Sequence, residues 1–192
     1  MREYDLIAEW YAVERVDQMG VPEVTALAQS IPGSGLVLDV GCGNGIPLTR
    51  ALLAAGHSVV GLDSSSQMLA RFGRNCPDTV SVHAVVQSCP FADAVFDAAV
   101  AWGVMFHLNR SDQMKAIASV SRVLKSGAPF LFTSGDENGF EPKEDTMNAV
   151  VFRYWSFTID GYRRILEERG FALVDFHTDN GKNGYYLARK SA

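Results

Sequence analysis

The sequence predicts an α/β protein, a doubly wound and mostly parallel seven-stranded sheet with helices on both faces and an antiparallel last strand. Three observations predict it. Short apolar or alternating runs at 36–38, 58–62, 79–86, 95–102 and 128–133 alternate with segments of helical periodicity, the pattern of strands joined by crossover helices. A glycine-rich loop, Gly41-Cys42-Gly43-Asn44-Gly45, follows the first run, and the second run delivers Asp63. The chain closes on two more strand-like runs, Phe171 to His177 and Tyr185 to Arg189, joined through Asn180-Gly181-Lys182-Asn183-Gly184 as a hairpin.

Each element has a local justification. Tyr4 to about Gln18 reads as a helix with Leu6, Ile7, Trp10, Tyr11 and Glu14 near one face, broken by Gly20-Val21-Pro22. Pro22 to Ile31 forms a second helix carrying Val24, Leu27, Ala28 and Ile31, and Pro32-Gly33-Ser34-Gly35 turns into the first strand. Pro47 suits a first helical turn, and Gly56 closes that helix after Ala55. Ser64 or Ser65 caps a helix through Arg74 with Met68, Leu69 and Phe72 inward. A helix from Ser111 or Asp112 puts Met114, Ile117, Ala118, Ser121 and Leu124 on one face, and Lys125-Ser126-Gly127 ends it. Ser134 to Phe157 opens as a polar loop and ends in the alternating, aromatic-rich stretch 150–157. Thr158 to Arg169 is a helix with Ile159, Tyr162, Ile165 and Leu166 inward, closed by Gly170.

The unit from Leu36 to Asp63 has the form of a cofactor cradle. Glycines reach backbone conformations closed to other residues and let a ligand approach the main chain. Asp63 lies 18 residues past Gly45, near the separation at which a carboxylate meets ribose hydroxyls, so the ligand is a ribonucleoside derivative. A dinucleotide fingerprint wants its third glycine at the sixth position, which is Ile46 here, and the Gly-Lys-Ser/Thr of a P-loop is absent. Asp39, at the carboxyl end of the first strand, would repel a pyrophosphate but hold a cationic amine.

Val37-Leu38-Asp39-Val40-Gly41-Cys42-Gly43-Asn44-Gly45 and Val60-Gly61-Leu62-Asp63 resemble the first motif and the following acidic motif of the class I S-adenosylmethionine-dependent methyltransferases. The resemblance covers about 36 to 190 and implies their Rossmann-like fold, with S-adenosyl-L-methionine as methyl donor and S-adenosyl-L-homocysteine as product. The cofactor-binding set it implies is Asp39, Gly41, Cys42, Gly43, Asn44, Gly45, Asp63, Ser64, Met68, Gln87, Ser88, Trp102 and Tyr11. One departure stands out: the third strand of that family leads to an acid before Pro-Phe, whereas Val85-Val86-Gln87-Ser88 precedes Cys89-Pro90-Phe91 here. The adenine amine must then find Gln87, Ser88 or a backbone carbonyl. The resemblance further implies one domain over 1–192, with 1–34 as a helical lid and 134–157 as a substrate-side insertion. Tyr4, Phe106, Tyr154 and Trp155 are then candidates to touch the acceptor. Ligands bind outside the carboxyl ends of strands in open α/β sheets, so the loop after Trp102 faces the methyl. His107 on that loop is the candidate catalytic base, since imidazole titrates near working pH. Asp97 opens its strand at the opposite end and reads as structural. Two rival readings are a nucleoside-binding module without turnover and a nicotinamide-dependent oxidoreductase.

Composition bounds the partners. A chain of 192 residues, 47% hydrophobic and 20% charged, is one soluble domain able to bury ~70% of its unfolded surface. A net charge of −5 without a basic run argues against nucleic acid, and so short a chain argues against a protein substrate, so the expected acceptor is a small molecule. Cys42, Cys76 and Cys89 are an odd number at no metal-like spacing, so no metal is expected and the setting is reducing. The first residues lack a signal-peptide core and no run approaches ~18 apolar residues, so a cytoplasmic protein without membrane contact, monomeric or homodimeric, is expected.

Overall fold

A computed structural model describes residues 2–14, 18–137, 141–178 and 184–192. Three sequence expectations fall partly outside them: the helix end at 15–17, part of the polar loop at 138–140, and the hairpin turn at 179–183. Helices α1 (Arg2–Glu14) and α2 (Val21–Gln29) precede β1 (Leu36–Val40), then α3 (Leu48–Ala54), β2 (Ser58–Asp63), α4 (Ser66–Asn75) and β3 (Val80–His83). A 3₁₀ turn, Val86–Ser88, leads to β4 (Ala98–Ala101), and a second, Met105–His107, leads to α5 (Arg110–Val123). The chain continues through β5 (Pro129–Ser134), the hairpin β6 (Lys143–Met147) and β7 (Val150–Tyr154), α6 (Ile159–Glu168), β8 (Phe171–Thr178) and β9 (Gly184–Lys190).

The main sheet runs β3-β2-β1-β4-β5-β9-β8. Its first five strands pair in parallel, and β9 pairs antiparallel with β5 and β8. This is the doubly wound sheet expected, with the last strand reversed. Strand alternation sends Leu38 and Val40 to one face, where α5 and α6 pack through Ala116, Ile117, Val120, Tyr162 and Leu166. Val37, Val59, Ala98 and Val100 face α2 and α3, meeting Val24, Leu27, Ala28, Leu48 and Leu52. β4 is buried on all four residues, as a central parallel strand should be.

Several elements differ from expectation. β3 ends at His83, because the chain turns into the 3₁₀ segment instead of extending to Val86. Part of the polar stretch forms β6, whose exposed Lys143, Glu144, Asp145 and Thr146 carry no apolar signal and gain order by pairing with β7. The buried face of α5 is Gln113, Ala116, Ile117, Val120 and Val123, not the face through Met114, Ala118 and Ser121. On α1 the buried residues are Ile7 and Ala8, while Leu6 points outward at 73% exposure. Asp97 sits at the amino end of β4, accepting from the Leu36 N–H at 2.9 Å and pairing with Lys125 at 2.7 Å.

Candidate functional site

The carboxyl ends of β1, β2 and β4 open on a cavity of about 200 Å3. Gly41, φ +67°, starts the loop after β1 beneath Val104, where a Cβ would lie 2.1 Å from Val104 Cγ2. The Gly41 and Cys42 N–H groups both donate to the Leu62 carbonyl, at 2.6 and 3.2 Å. The Gly43 N–H donates to Asp63 Oδ2 at 2.9 Å, and the Ser65 N–H to Asp63 Oδ1 at 2.8 Å. The loop therefore turns these donors inward, onto the end of β2, instead of offering a nest to a phosphate. What it presents to the cavity is carboxylate. Asp39 and Asp63 line it, and among the described lining residues there is no lysine or arginine. Asp39 is 2% exposed and accepts from Thr49 Oγ1 at 2.5 Å. Burial raises the Asp63 carboxyl above its ordinary range, against the two N–H donors that favour its charge.

Of the residues expected at the cofactor, Asp39, Gly41, Cys42, Gly43, Asp63, Ser64, Met68, Gln87, Trp102 and Tyr11 line this cavity. Asn44, Gly45 and Ser88 do not: Asn44 turns back to accept from the Ile46 N–H, and the Gly45 N–H closes a turn onto Cys42. Cys42, Cys76 and Cys89 are free and buried, and burial pushes the Cys42 thiol far up. Apolar walls that the sequence reading left unnamed come from Val40, Leu48 and Leu62 at one side and Ala84, Val85 and Val86 at the other.

Helix α1 lies across the mouth. Tyr4 and Tyr11 line the cavity, one helical turn either side of the buried Ile7 and Ala8. Tyr4 bonds through its hydroxyl to His107 Nε2 at 3.0 Å. One residue on, Asp5 accepts from Ser65 Oγ at 2.6 Å and from the Gln67 N–H at 3.2 Å, and so shares the cap of α4. The Ser65 hydroxyl bond holds the Asp5 carboxyl below its usual range.

His107, 8% exposed, sits in a ring of aromatics formed by Tyr4, Phe106, Phe152 and Tyr154, at centroid distances of 4.7–5.4 Å. Its Nδ1 is buried with no hydrogen-bond partner among the described residues. Burial pushes the imidazole down to about 4, and the Arg153 backbone offsets only part of this. The ring is therefore neutral at physiological pH. It lines both the main cavity and a second one, walled by Glu3, Val151, Phe152, Arg153 and Trp155. Of the acceptor candidates, Tyr4 lines the first cavity and Trp155 the second, while Phe106 and Tyr154 stand behind His107 and line neither.

Sequence reasoning missed the residue that ties these loops together. Gln113, fully buried on α5, donates through Nε2 to the carbonyls of Leu108 and Trp155, each at 2.9 Å. Its Oε1 accepts from Tyr162 Oη at 2.6 Å, and that hydroxyl also meets Ser134 Oγ at 2.5 Å. One amide thus joins the loop after β4, the end of the β6–β7 hairpin and the end of β5. The available signal was a glutamine three residues before Ala116 and four before Ile117.

Residues 37–127 match the family model described as a methyltransferase domain. The chain is 31% identical over 133 residues to the tRNA (carboxymethyluridine(34)-5-O)-methyltransferase of Arabidopsis thaliana, covering 69% of this chain and 31% of that protein. It is 29% identical over 140 residues to a probable S-adenosylmethionine-dependent methyltransferase of Mycolicibacterium smegmatis, covering 72% and 52% respectively. The chain thus spans about a third to a half of the length of these relatives. Among solved structures, it superposes with a TM-score of 0.75 at 20% identity on the 1,6-didemethyltoxoflavin-N1-methyltransferase of Burkholderia thailandensis, crystallised with 1,6-didemethyltoxoflavin and S-adenosylhomocysteine. That match covers 100% of this chain and 88% of the other.

Proposed function

We propose a function from one premise: this chain belongs to the class I S-adenosylmethionine-dependent methyltransferase family. On that premise it transfers a methyl group from S-adenosylmethionine to a small-molecule acceptor. The observation that carries the reading is the charge of the cavity. Two carboxylates, no facing cation among the described lining residues, and loop N–H groups turned inward suit a ligand that is cationic and free of phosphate. The same features weigh against a nicotinamide dinucleotide.

When bound, the cofactor supplies an already activated methyl on its sulfonium. The protein's part is then to hold and orient, which can contribute ~7–11 kcal/mol of the barrier. Asp63 would take the ribose hydroxyls and Asp39 would favour the ammonium. Trp102, Met68 and the apolar walls exclude water. Residues 1–34 act as the lid through Tyr4 and Tyr11, and 134–157 closes the acceptor side through Phe152 and Trp155. Burial keeps His107 uncharged and removes the near-neutral titration that recommended it, so its part as base rests on Nε2, which lies within hydrogen-bond reach of the Tyr4 hydroxyl. An acceptor O–H or N–H gives its proton to the Tyr4 hydroxyl, which passes its own proton to Nε2.

Calorimetric titration with S-adenosylmethionine, S-adenosylhomocysteine and NAD tests the cradle, with Asp63→Ala beside the wild type. The reading expects both adenosyl ligands to bind, NAD to be ignored, and Asp63→Ala to weaken binding by about 30-fold or more, the worth of a charge-assisted hydrogen-bond pair. Failure of either adenosyl ligand to bind at millimolar concentration overturns it. Transfer of labelled methyl to bulk tRNA, and not to a small-molecule fraction, would replace the acceptor class with the one in the Arabidopsis relative's name.

A further inference from the structure

We infer that the second cavity takes the acceptor, and that Glu3 selects there a molecule carrying an alkylammonium group on a flat ring. This rests on the reading that the main cavity holds the methyl donor. At about 200 Å3 the main cavity is smaller than the ~300–1,000 Å3 usual for one drug-sized ligand, so it leaves no room for a second molecule. The second cavity has about 270 Å3. A cavity of ~150 Å3 already holds benzene, so this one suits a ligand of one or two rings. His107 lines both cavities and so marks where they adjoin.

The walls are in place before a ligand arrives. Trp155 is fixed through its backbone: its N–H donates to the Phe106 carbonyl at 2.8 Å, and its carbonyl accepts from Gln113 Nε2 at 2.9 Å. Phe152, 1% exposed, packs edge-on against Tyr4 with 5.2 Å between ring centroids. Glu3 stands in the first turn of α1, just before the two residues that fasten that helix, Tyr4 to His107 and Asp5 to Ser65. An anchored backbone therefore carries its carboxylate to the cavity it shares with Phe152 and Trp155.

The charge of the cavity decides the ligand class. Among the described lining residues only Glu3 and Arg153 are charged, since burial keeps His107 neutral. Arg153 is already paired: it faces Glu144 in the β6–β7 ladder, and its Nε lies 2.8 Å from Glu144 Oε1. Glu3 makes no hydrogen bond or ion pair among the described residues, and acts on Arg153 only at longer range, after Glu144. One carboxylate is thus left uncompensated beside aromatic rings. A cation satisfies both, through an ion pair with Glu3 and through the negative faces of the rings. A carboxylate or phosphate would meet Glu3 as a like charge and an arginine already neutralised. The ammonium is the handle and not the methylated atom. Protonated, its nitrogen has no lone pair, so the nucleophile is another atom of the acceptor, at the end that reaches His107.

Phenethylamine, phenethyl alcohol and hydrocinnamate share one ring and differ in the charge at the end of the chain. Each is titrated into the full chain saturated with S-adenosylhomocysteine, reading tryptophan fluorescence, with melting curves to confirm that every variant is folded. Phenethylamine should bind about 10-fold tighter than the alcohol, the combined worth of an exposed ion pair and a cation–π contact, and hydrocinnamate weaker than either. Trp155→Phe should remove the fluorescence response, which places the probe in the second cavity. Glu3→Gln should bring the amine within about 3-fold of the alcohol, and leave the alcohol and S-adenosylhomocysteine affinities unchanged. Glu144→Gln, which releases the Arg153 charge, should strengthen hydrocinnamate by about 3-fold. Equal binding of amine and alcohol overturns the inference, as does an amine preference that survives Glu3→Gln. A response that survives Trp155→Phe, or no binding of any probe at millimolar concentration, overturns it too. All four leave the donor site standing. A wild type that does not bind S-adenosylhomocysteine overturns the donor reading, and the acceptor assignment with it.

Discussion

Lowering the pH from 7 to 5 should weaken the fold by ~2 kcal/mol through His107 alone. In the unfolded chain the imidazole titrates near ~6.5, and in the folded protein burial brings it down to about 4. Between those values the unfolded chain binds more protons, so stability falls as the pH drops through the window. Linkage gives a cost of ~0.2 kcal/mol at pH 7 and ~2 kcal/mol at pH 5. The groups around the ring, Tyr4, Phe106, Phe152 and Tyr154, are neutral here, and Glu3 and Arg153 border it only across the second cavity. Urea unfolding at pH 7, 6 and 5 measures the effect, with His107→Gln as the comparison. Both proteins keep His57, His83 and His177, so the difference between their pH dependences isolates this ring. Dependences that coincide within ~0.5 kcal/mol would show that His107 is not held neutral by burial, and the argument for an uncharged base would go with it.

Gln113→Leu should cost about 3 kcal/mol by urea unfolding, because it orphans the Leu108 and Trp155 carbonyls and the Tyr162 hydroxyl in a buried network; a loss under ~1 kcal/mol would mean that water replaces the amide. Asp5→Ala should lower stability by ~1 kcal/mol and weaken adenosyl binding, whereas Asp5→Asn, which still accepts from Ser65 and Gln67, should recover most of both. An Asp5→Asn protein as impaired as Asp5→Ala would assign the effect to charge instead of geometry. Gly41→Ala combines a φ of +67° with a Cβ against Val104, so adding Val104→Ala should relieve the contact and leave ~1–2 kcal/mol of backbone strain in a thermal melt. Full recovery in that double variant would refute the backbone share.

The glycine loop and its two acids were legible because their meaning is local. A loop of three glycines after an apolar strand, with an acid at each strand end, constrains the ligand before any tertiary contact is known. The main sheet was legible for a related reason, since strands such as Ala98–Ala101 are buried on both faces and carry apolar residues at every position. What stayed hidden depends on partners distant in sequence. β6 is polar at exposed positions and is held by β7. The orientation of α5 was misread because its inward position at 113 is occupied by a buried glutamine, and apolar periodicity skips a polar residue whose bonds are made elsewhere in the chain. α1 carries apolar residues on two sides, and nothing in Leu6 or Ile7 alone says which one meets the sheet.

The placement of α1 couples both halves of the site. Tyr4 fastens it to His107, and Asp5, the next residue, fastens it to the cap of α4 behind Asp63. Ser65 stands at the centre of the second link: its N–H donates to Asp63, and its hydroxyl donates to Asp5 while accepting from the Met68 N–H. Lifting the helix breaks both links and exposes Ile7 and Ala8. At ~1 kcal/mol for each of the three hydrogen bonds that Tyr4 and Asp5 make and ~2 kcal/mol for the isoleucine, opening costs about 5 kcal/mol, small enough to occur reversibly in the native state. Because both links sit on one helix, lifting it would free His107 Nε2 and loosen the cap behind Asp63 together.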